Sequence, residues 1–183
     1  MIEHIAQYVA EHIKRVVPEH PASIARLKHA LAILINMVGI IVIALICSLL
    51  IGTFWNTVII LCVFAVLRQI TGGYHLKSGI ACMIVSSSLF VLLALITISS
   101  NMVLLLNSVS IVLVIAFAPS NIKNHSRIPE KWYPFLKLLG MLFISLNFWF
   151  GSSSFALAAF VQCLLLINFK PLLRNIEAIT KIR

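Results

Sequence analysis

The amino-acid sequence predicts an all-α, polytopic integral membrane protein with about six transmembrane helices and an amphipathic interfacial helix at its N-terminus. Three observations predict it. Apolar residues fill 61% of the 183 positions and charged residues only 10%, with a mean hydropathy of +1.08. A soluble domain keeps about a quarter of its residues charged to give water a surface, so lipid must cover most of this chain. Residues 30–67, 78–122 and 138–169 hold no Asp, Glu, Lys or Arg, and each stretch has room for one or two helical spans of about 20 residues. Finally, the 14 Lys and Arg fall in the N-terminal stretch, at 68–77, at 123–137 or after 169.

Each element follows in order. Residues 2–17 place Ile5, Tyr8, Val9, Ile13 and Val16 on one helical face, with Glu3, Glu11 and Lys14 elsewhere. That pattern is of a helix lying in the headgroups. Pro18 and Pro21 end it, and Arg26, Lys28 and His29 precede a first span at about 30–51. No small-residue cleavage site follows this apolar run, so it is expected to be kept as a span. Gly52-Thr53 turns into a second span at about 54–67. The polar segment 68–79 comes next. A third span at about 80–98 turns through Ser99-Ser100-Asn101 into a fourth at about 102–118. A basic loop, 119–134, leads to a fifth span at about 135–150, and Gly151 to Ser154 turn into a sixth at about 155–169.

The short turns carry no positive charge. Six spans with both termini inside therefore put every Lys and Arg in the cytoplasm. The second span is short, so a re-entrant pair formed by the first two is the alternative. One membrane domain, 1–183, is expected: a cytoplasmic-face segment 1–29, a transmembrane bundle 30–169 and a cytoplasmic tail 170–183. In such a protein the net charge of +9 reports orientation, and no nucleic-acid partner is implied. Trp55, Trp132, Tyr133 and Trp149 fall where an interfacial aromatic belt would stand.

Several chemistries are excluded. The chain has no Asp, which removes intramembrane aspartyl proteolysis and the Asp-rich metal sites of lipid phosphotransferases. It has no HExxH, CxxC or CxxH, so no metal, cofactor or disulfide framework is expected. His4, His12, His20, His29 and His125 read as solvated interfacial residues, and Cys47, Cys62 and Cys163 as small apolar residues within spans.

The segment 68–82 is different. Gly72-Gly73 permits backbone geometries closed to other residues and breaks the preceding helix. Non-helical backbone at this depth needs protein around it or a wet cavity. Ser78 is suited to N-cap the third span, placing Cys82 in or just past its first turn, where the helix dipole favours a thiolate. On one straight helix His75 and Cys82 would stand about 10 Å apart, too far for proton transfer. The glycines at 72, 73 and 79 offer the break that folds the imidazole back toward the sulfur, as a nucleophilic cysteine requires. The spacing alone carries little, since four Cys and six His give many such pairs; the position beside the Gly-Gly break carries more. Ser86, Ser87 and Ser88 read as helix-packing residues or as the lining of a cavity near Cys82.

Arg68, Gly73, His75 and Cys82 form R-x4-G-x-H-x6-C, which resembles the accessory gene regulator B family (AgrB), bacterial membrane peptidases of quorum sensing. The likeness extends over most of the chain and includes the Ala118-Pro119 step that opens the basic loop. It implies Cys82 as nucleophile and His75 as base, with Arg68, Gly73 and Gly72 shaping the site. It further implies cleavage of a ribosomally made propeptide through an acyl-thioester, which a cysteine or serine of the retained fragment closes into a thiolactone or lactone. A propeptide with an amphipathic leader and an acidic tail is the implied partner, with Lys77, Lys123, Arg127 and Lys131 as contacts or as topology determinants only. A homodimer is implied by the family alone. The chain departs from the family in having Asn121 where relatives often carry an acidic residue. Asn121, Gln69 or a backbone carbonyl can orient His75, or the pair can act as a dyad. The competing reading is a non-enzymatic transporter or assembly subunit with Cys82 an inert core thiol. Its spans lack the ionisable groups that coupled transport requires, which leaves assembly as the stronger rival.

Overall fold

The computed structural model describes residues 2–19, 21–73, 78–120 and 129–167. Among them eight α-helices follow in order: α1 (Ile2–Val16), α2 (Ile24–Ile51), α3 (Phe54–Thr71), α4 (Gly79–Ala94), α5 (Ser100–Phe117), α6 (Tyr133–Ser145), α7 (Asn147–Phe150) and α8 (Ser153–Leu164). A 3-10 turn, Glu130–Trp132, leads into α6. No strand occurs among the described residues.

Four segments are long and apolar enough to cross a bilayer: Ile24–Ile51, Phe54–Thr71, Ser100–Phe117 and Glu130–Phe150. Two further apolar helices, α4 and α8, have 16 and 12 residues. At about 1.5 Å per residue they rise about 24 and 18 Å, short of a hydrocarbon core about 30 Å thick. The protein is thus an all-helical membrane protein, with four candidate spans among the described residues where the sequence leads one to expect about six, because α4 and α8 are shorter than a full span.

Two compact units are present, Met1–Thr57 with His75–Leu92 and Val58–Tyr74 with Leu93–Arg183. In the first, α1 packs along α2 and buries the stripe Ile2, Ala6 and Ala10. Alanines let the two backbones approach closely. The large residues Ile5, Tyr8 and Val16 are exposed, so the apolar face read from the sequence is the one free to meet headgroups. Ser23 caps α2, its Oγ accepting from the Arg26 N–H at 3.4 Å, and the Gly52 N–H closes the other end on the Ser48 carbonyl. At 28 residues α2 spans about 42 Å, so its first turns, with Arg26 and Lys28, project beyond the hydrocarbon. Against α2, Met83 of α4 occupies the space left by Gly39: a Cβ there would lie 2.5 Å from Met83 Cε. The Ser87 hydroxyl donates to the Ile40 carbonyl at 3.3 Å, which makes Ser87 a packing residue.

In the second unit most of α8 is buried. Ser154 to Ala159 are all buried, as are Gln162 and Cys163. It packs on α5, which in turn packs on α6; α5 buries Val103, Asn107, Ser110 and Val114 at helical spacing. The Phe143 and Phe155 rings meet at 5.3 Å. A Cβ on Gly140 of α6 would lie 3.1 Å from Thr71 Cγ2 and 3.5 Å from Val114 Cγ1, so the glycine lets α6 approach both helices.

Side-chain bonds explain where helices depart from the expected spans. The sixteen-residue α4 ends at Ala94, and Ile98 beyond it is held by Ser153, whose Oγ donates to the Ile98 carbonyl at 3.2 Å and accepts its N–H at 3.3 Å. The fifth span divides into α6 and α7 at Leu146, where Asn147 turns its carboxamide inward. Asn147 Nδ2 donates to the Ser152 carbonyl at 3.0 Å and to Asn107 Oδ1 at 3.3 Å, and its Oδ1 accepts the Ser152 N–H at 2.9 Å. Ser152 caps α8 by accepting the Phe155 N–H. Trp55 and Trp149 are exposed near helix ends.

Candidate active site

The polar segment begins later than the sequence suggests. Arg68, Gln69, Ile70 and Thr71 belong to α3, and the helix stops only at Gly72, whose N–H donates to the Arg68 carbonyl at 3.0 Å. The stop is conformational. Gly72 has φ +75 and Gly73 φ +129, and the second lies outside even the left-handed helical well that Asn can enter. A Cβ on Gly73 would lie 3.3 Å from the Leu165 carbonyl oxygen and 3.6 Å from Arg68 Nη1.

Around this stop the second unit assembles a polar cluster. The Gly73 N–H donates to the Ser120 carbonyl at 3.0 Å and the Ser120 N–H to the Thr71 carbonyl at 2.9 Å, a parallel bridge between Gly72 and Ser120. Ser120 follows a cis Ala118-Pro119 peptide bond. Thr71 Oγ1 donates back to the Leu67 carbonyl at 2.7 Å. From α8, Gln162 Nε2 donates to the Gly72 carbonyl at 2.7 Å, and Gln162 Oε1 accepts from Arg68 Nη1 at 3.4 Å. The Arg68 guanidinium also lies 5.7 Å from the centre of the Phe64 ring, within cation–π range.

Cys82 stands in the first unit. The Ser78 carbonyl accepts its N–H at 2.9 Å, and Ser78 Oγ accepts the Ala81 N–H at 3.4 Å. Ser78 is thus the cap expected from the sequence, and Cys82 is the first residue whose amide is engaged within the helix. Its side chain is 7% exposed, and its Sγ lies 3.9 Å from Ser86 Oγ. Beside this end of α4, a Cβ on Gly79 would meet Ile2 Cδ1 at 3.2 Å and Asn36 Oδ1 at 3.7 Å; Asn36 Oδ1 is buried without a hydrogen-bond partner among the described residues.

The structure therefore gathers Arg68, Gly72 and Gly73 about Gln162 and Ser120, and gives Cys82 a capped helix start. Gln69 is exposed on α3, and Lys131 is exposed in the 3-10 turn. His75, Lys77, Asn121, Lys123 and Arg127 lie outside the described residues. Among the described residues no group of His, Cys and acidic side chains could hold a metal ion.

A protein-family model described as accessory gene regulator B matches residues 2–180, nearly the whole chain. The chain belongs to the accessory gene regulator B family. Membership assigns it to accessory gene regulator quorum sensing. No curated protein and no solved structure matches the chain. In this AgrB chain the cluster contains three residues that the motif does not: Gln162, Thr71 and Ser120. The signal for Gln162 was legible, since a carboxamide among the Ala, Phe, Leu and Val of α8 demands a partner. Its partner was not, because 90 or more positions separate it from Arg68 and Gly72. A further unforeseen contact joins Lys137 of α6 to α5: its Nζ donates to the Ile115 carbonyl at 2.6 Å. That places a cation at a helix C-terminus, where the dipole favours it.

Proposed function

We propose that this protein is a membrane-embedded cysteine endopeptidase that cleaves an autoinducer propeptide at the cytoplasmic face and passes the N-terminal fragment on as an acyl-thioester. The single observation that carries the reading is the capped start of α4, which puts the motif's Cys82 one turn into a helix. The amides of Gly79 and Ile80 precede the first intrahelical bond there, and their partial positive charge suits a developing oxyanion.

In this mechanism His75 takes the Cys82 proton. The thiolate adds to the carbonyl carbon of the scissile peptide, and amides near Gly79 take up the oxyanion charge. The C–N bond then breaks, the leaving amine receives the proton from the imidazolium, and the acyl group stays on sulfur. A thioester retains much of the free energy of the bond it replaces. A thiol or hydroxyl of the fragment can therefore attack its carbonyl, release Cys82 and close a thiolactone or lactone, provided water is kept out. Apolar helices around the site supply that exclusion. Arg68 and Gly73 shape the segment that carries His75, and Asn121 or Gln69 can orient the imidazole.

We place both termini of this multi-pass protein in the cytoplasm, so that the basic segments face the propeptide. Lys131, and with it Lys77, Lys123 and Arg127, suits an acidic tail, while an amphipathic leader partitions into the same headgroup layer as α1. The test is co-expression with a propeptide of that design. Cys82→Ala and His75→Ala should each abolish cleavage at unchanged membrane insertion, and wild-type protein should accumulate a hydroxylamine-sensitive acyl adduct. Processing that survives Cys82→Ala sinks the reading.

A further inference from the structure

We propose that Gln162 is a positioning residue for the peptidase site: its carboxamide ties the Arg68 side chain to the Gly72 carbonyl and fixes where the chain leaves α3 toward His75. The inference rests on the peptidase reading above.

Gln162 is fully buried on α8, at 0% exposure, among residues that are otherwise small or apolar. Both ends of its amide are used, Oε1 as acceptor for Arg68 Nη1 at 3.4 Å and Nε2 as donor to the Gly72 carbonyl at 2.7 Å. Only an amide supplies one acceptor and one donor in this arrangement: a carboxylate would keep Arg68 but offer the carbonyl nothing, and a hydrocarbon would satisfy neither. The opposite edge of the same dipeptide is held by the backbone bridge to Ser120, so Gly72-Gly73 is fixed from two sides. Gly73 lacks a side chain where that clamp passes: a Cβ there would sit 3.4 Å from Gln162 Nε2. His75 follows only two residues later. An imidazole that must reach a thiol within hydrogen-bond distance is sensitive to displacements of about 1 Å, which cost about a hundredfold in rate. The stop at Gly72 is therefore the natural place to control its position, and a span helix such as α8 is a rigid anchor for doing so.

The experiment compares wild type, Q162E, Q162L and C82A in membranes with purified propeptide, each rate divided by the amount of protein inserted. Q162L should lower the single-turnover acylation rate by about ten- to a hundredfold with KM changed less than about twofold, and Q162E, which has the same shape and keeps the Arg68 contact, should fall between Q162L and wild type. A purely structural glutamine would instead reduce only the amount inserted. Wild-type rates per inserted molecule in Q162L, or a raised KM at unchanged acylation rate, overturn the inference. Should Q162L fail to insert, Q162E decides alone: a wild-type acylation rate overturns it and a lowered one supports it. If C82A also cleaves, it is the peptidase reading that fails.

Discussion

The second unit carries a polar cluster at each end of the α5–α8 pair, and the two are built for different purposes. Where α5 and α8 begin, Asn107, Asn147, Ser152 and Ser153 tie one another and the backbone of the Gly151 turn together. No charge and no motif residue takes part. Where they end, Gln162, Ser120 and Thr71 surround Arg68 and two glycines of unusual backbone conformation. Both clusters satisfy buried polar groups, but the first closes a turn between helices, whereas the second holds a helix stop that leads to the histidine. Buried hydrogen bonds in a span are thus not in themselves a sign of a site; a cation and a glycine pair at positive φ within them are.

The comparison predicts that variants of the first cluster alter stability and variants of the second alter chemistry. The largest stability effect should come from Asn147→Leu, which strips the Ser152 amide and the Asn107 side-chain oxygen of the partner they share. Leaving such groups unpaired costs about 1–3 kcal/mol each, so detergent-solubilised protein should unfold at clearly lower temperature, while cleavage per folded molecule stays at the wild-type level. Loss of cleavage without loss of stability would erase the distinction between the two ends.

Next, Gly73→Ala should cost about 1–3 kcal/mol for the φ of +129 and should reduce cleavage per inserted molecule far more than stability alone explains. The neighbouring position sharpens this: Gly72, at φ +75, should accept Asn better than Ala, because Asn tolerates left-handed backbone, whereas neither should rescue position 73. Activity assays normalised to inserted protein separate these outcomes.

A smaller effect is expected at the α8 cap. Ser152→Ala removes the oxygen that accepts the Phe155 N–H and should lower stability by about 1 kcal/mol, read as a modest shift in thermal midpoint with catalysis intact. Smallest should be Ser108→Ala, since its exposed hydroxyl bonds to the Leu104 carbonyl of its own helix. No measurable change in either property is expected. If Ser108→Ala and Asn147→Leu behaved alike, burial would not be what distinguishes these contacts.

Much of this was legible in the chain itself. Composition and charge-free stretches suffice for a helical membrane protein, because lipid offers the backbone no hydrogen-bonding partner and only internally bonded elements can cross it. The same local rules place the cap at Ser78 and the stop at Gly72-Gly73, but leave Ser87 open between packing and cavity lining, which its bond to the Ile40 carbonyl decides. They misplace the end of α3, since Arg68 reads as a polar break although a long cationic side chain can remain helical while its head finds partners elsewhere. What tertiary structure alone decided is the company Arg68 keeps: a glutamine from α8 and a bridge from Ser120 lie far along the sequence, and hydrogen bonds between distant segments leave no periodicity to read. It also decided which face of α1 is turned inward, choosing Ile2, Ala6 and Ala10 over the larger residues, because close approach to α2 favours small side chains where hydrophobicity alone would have favoured large ones.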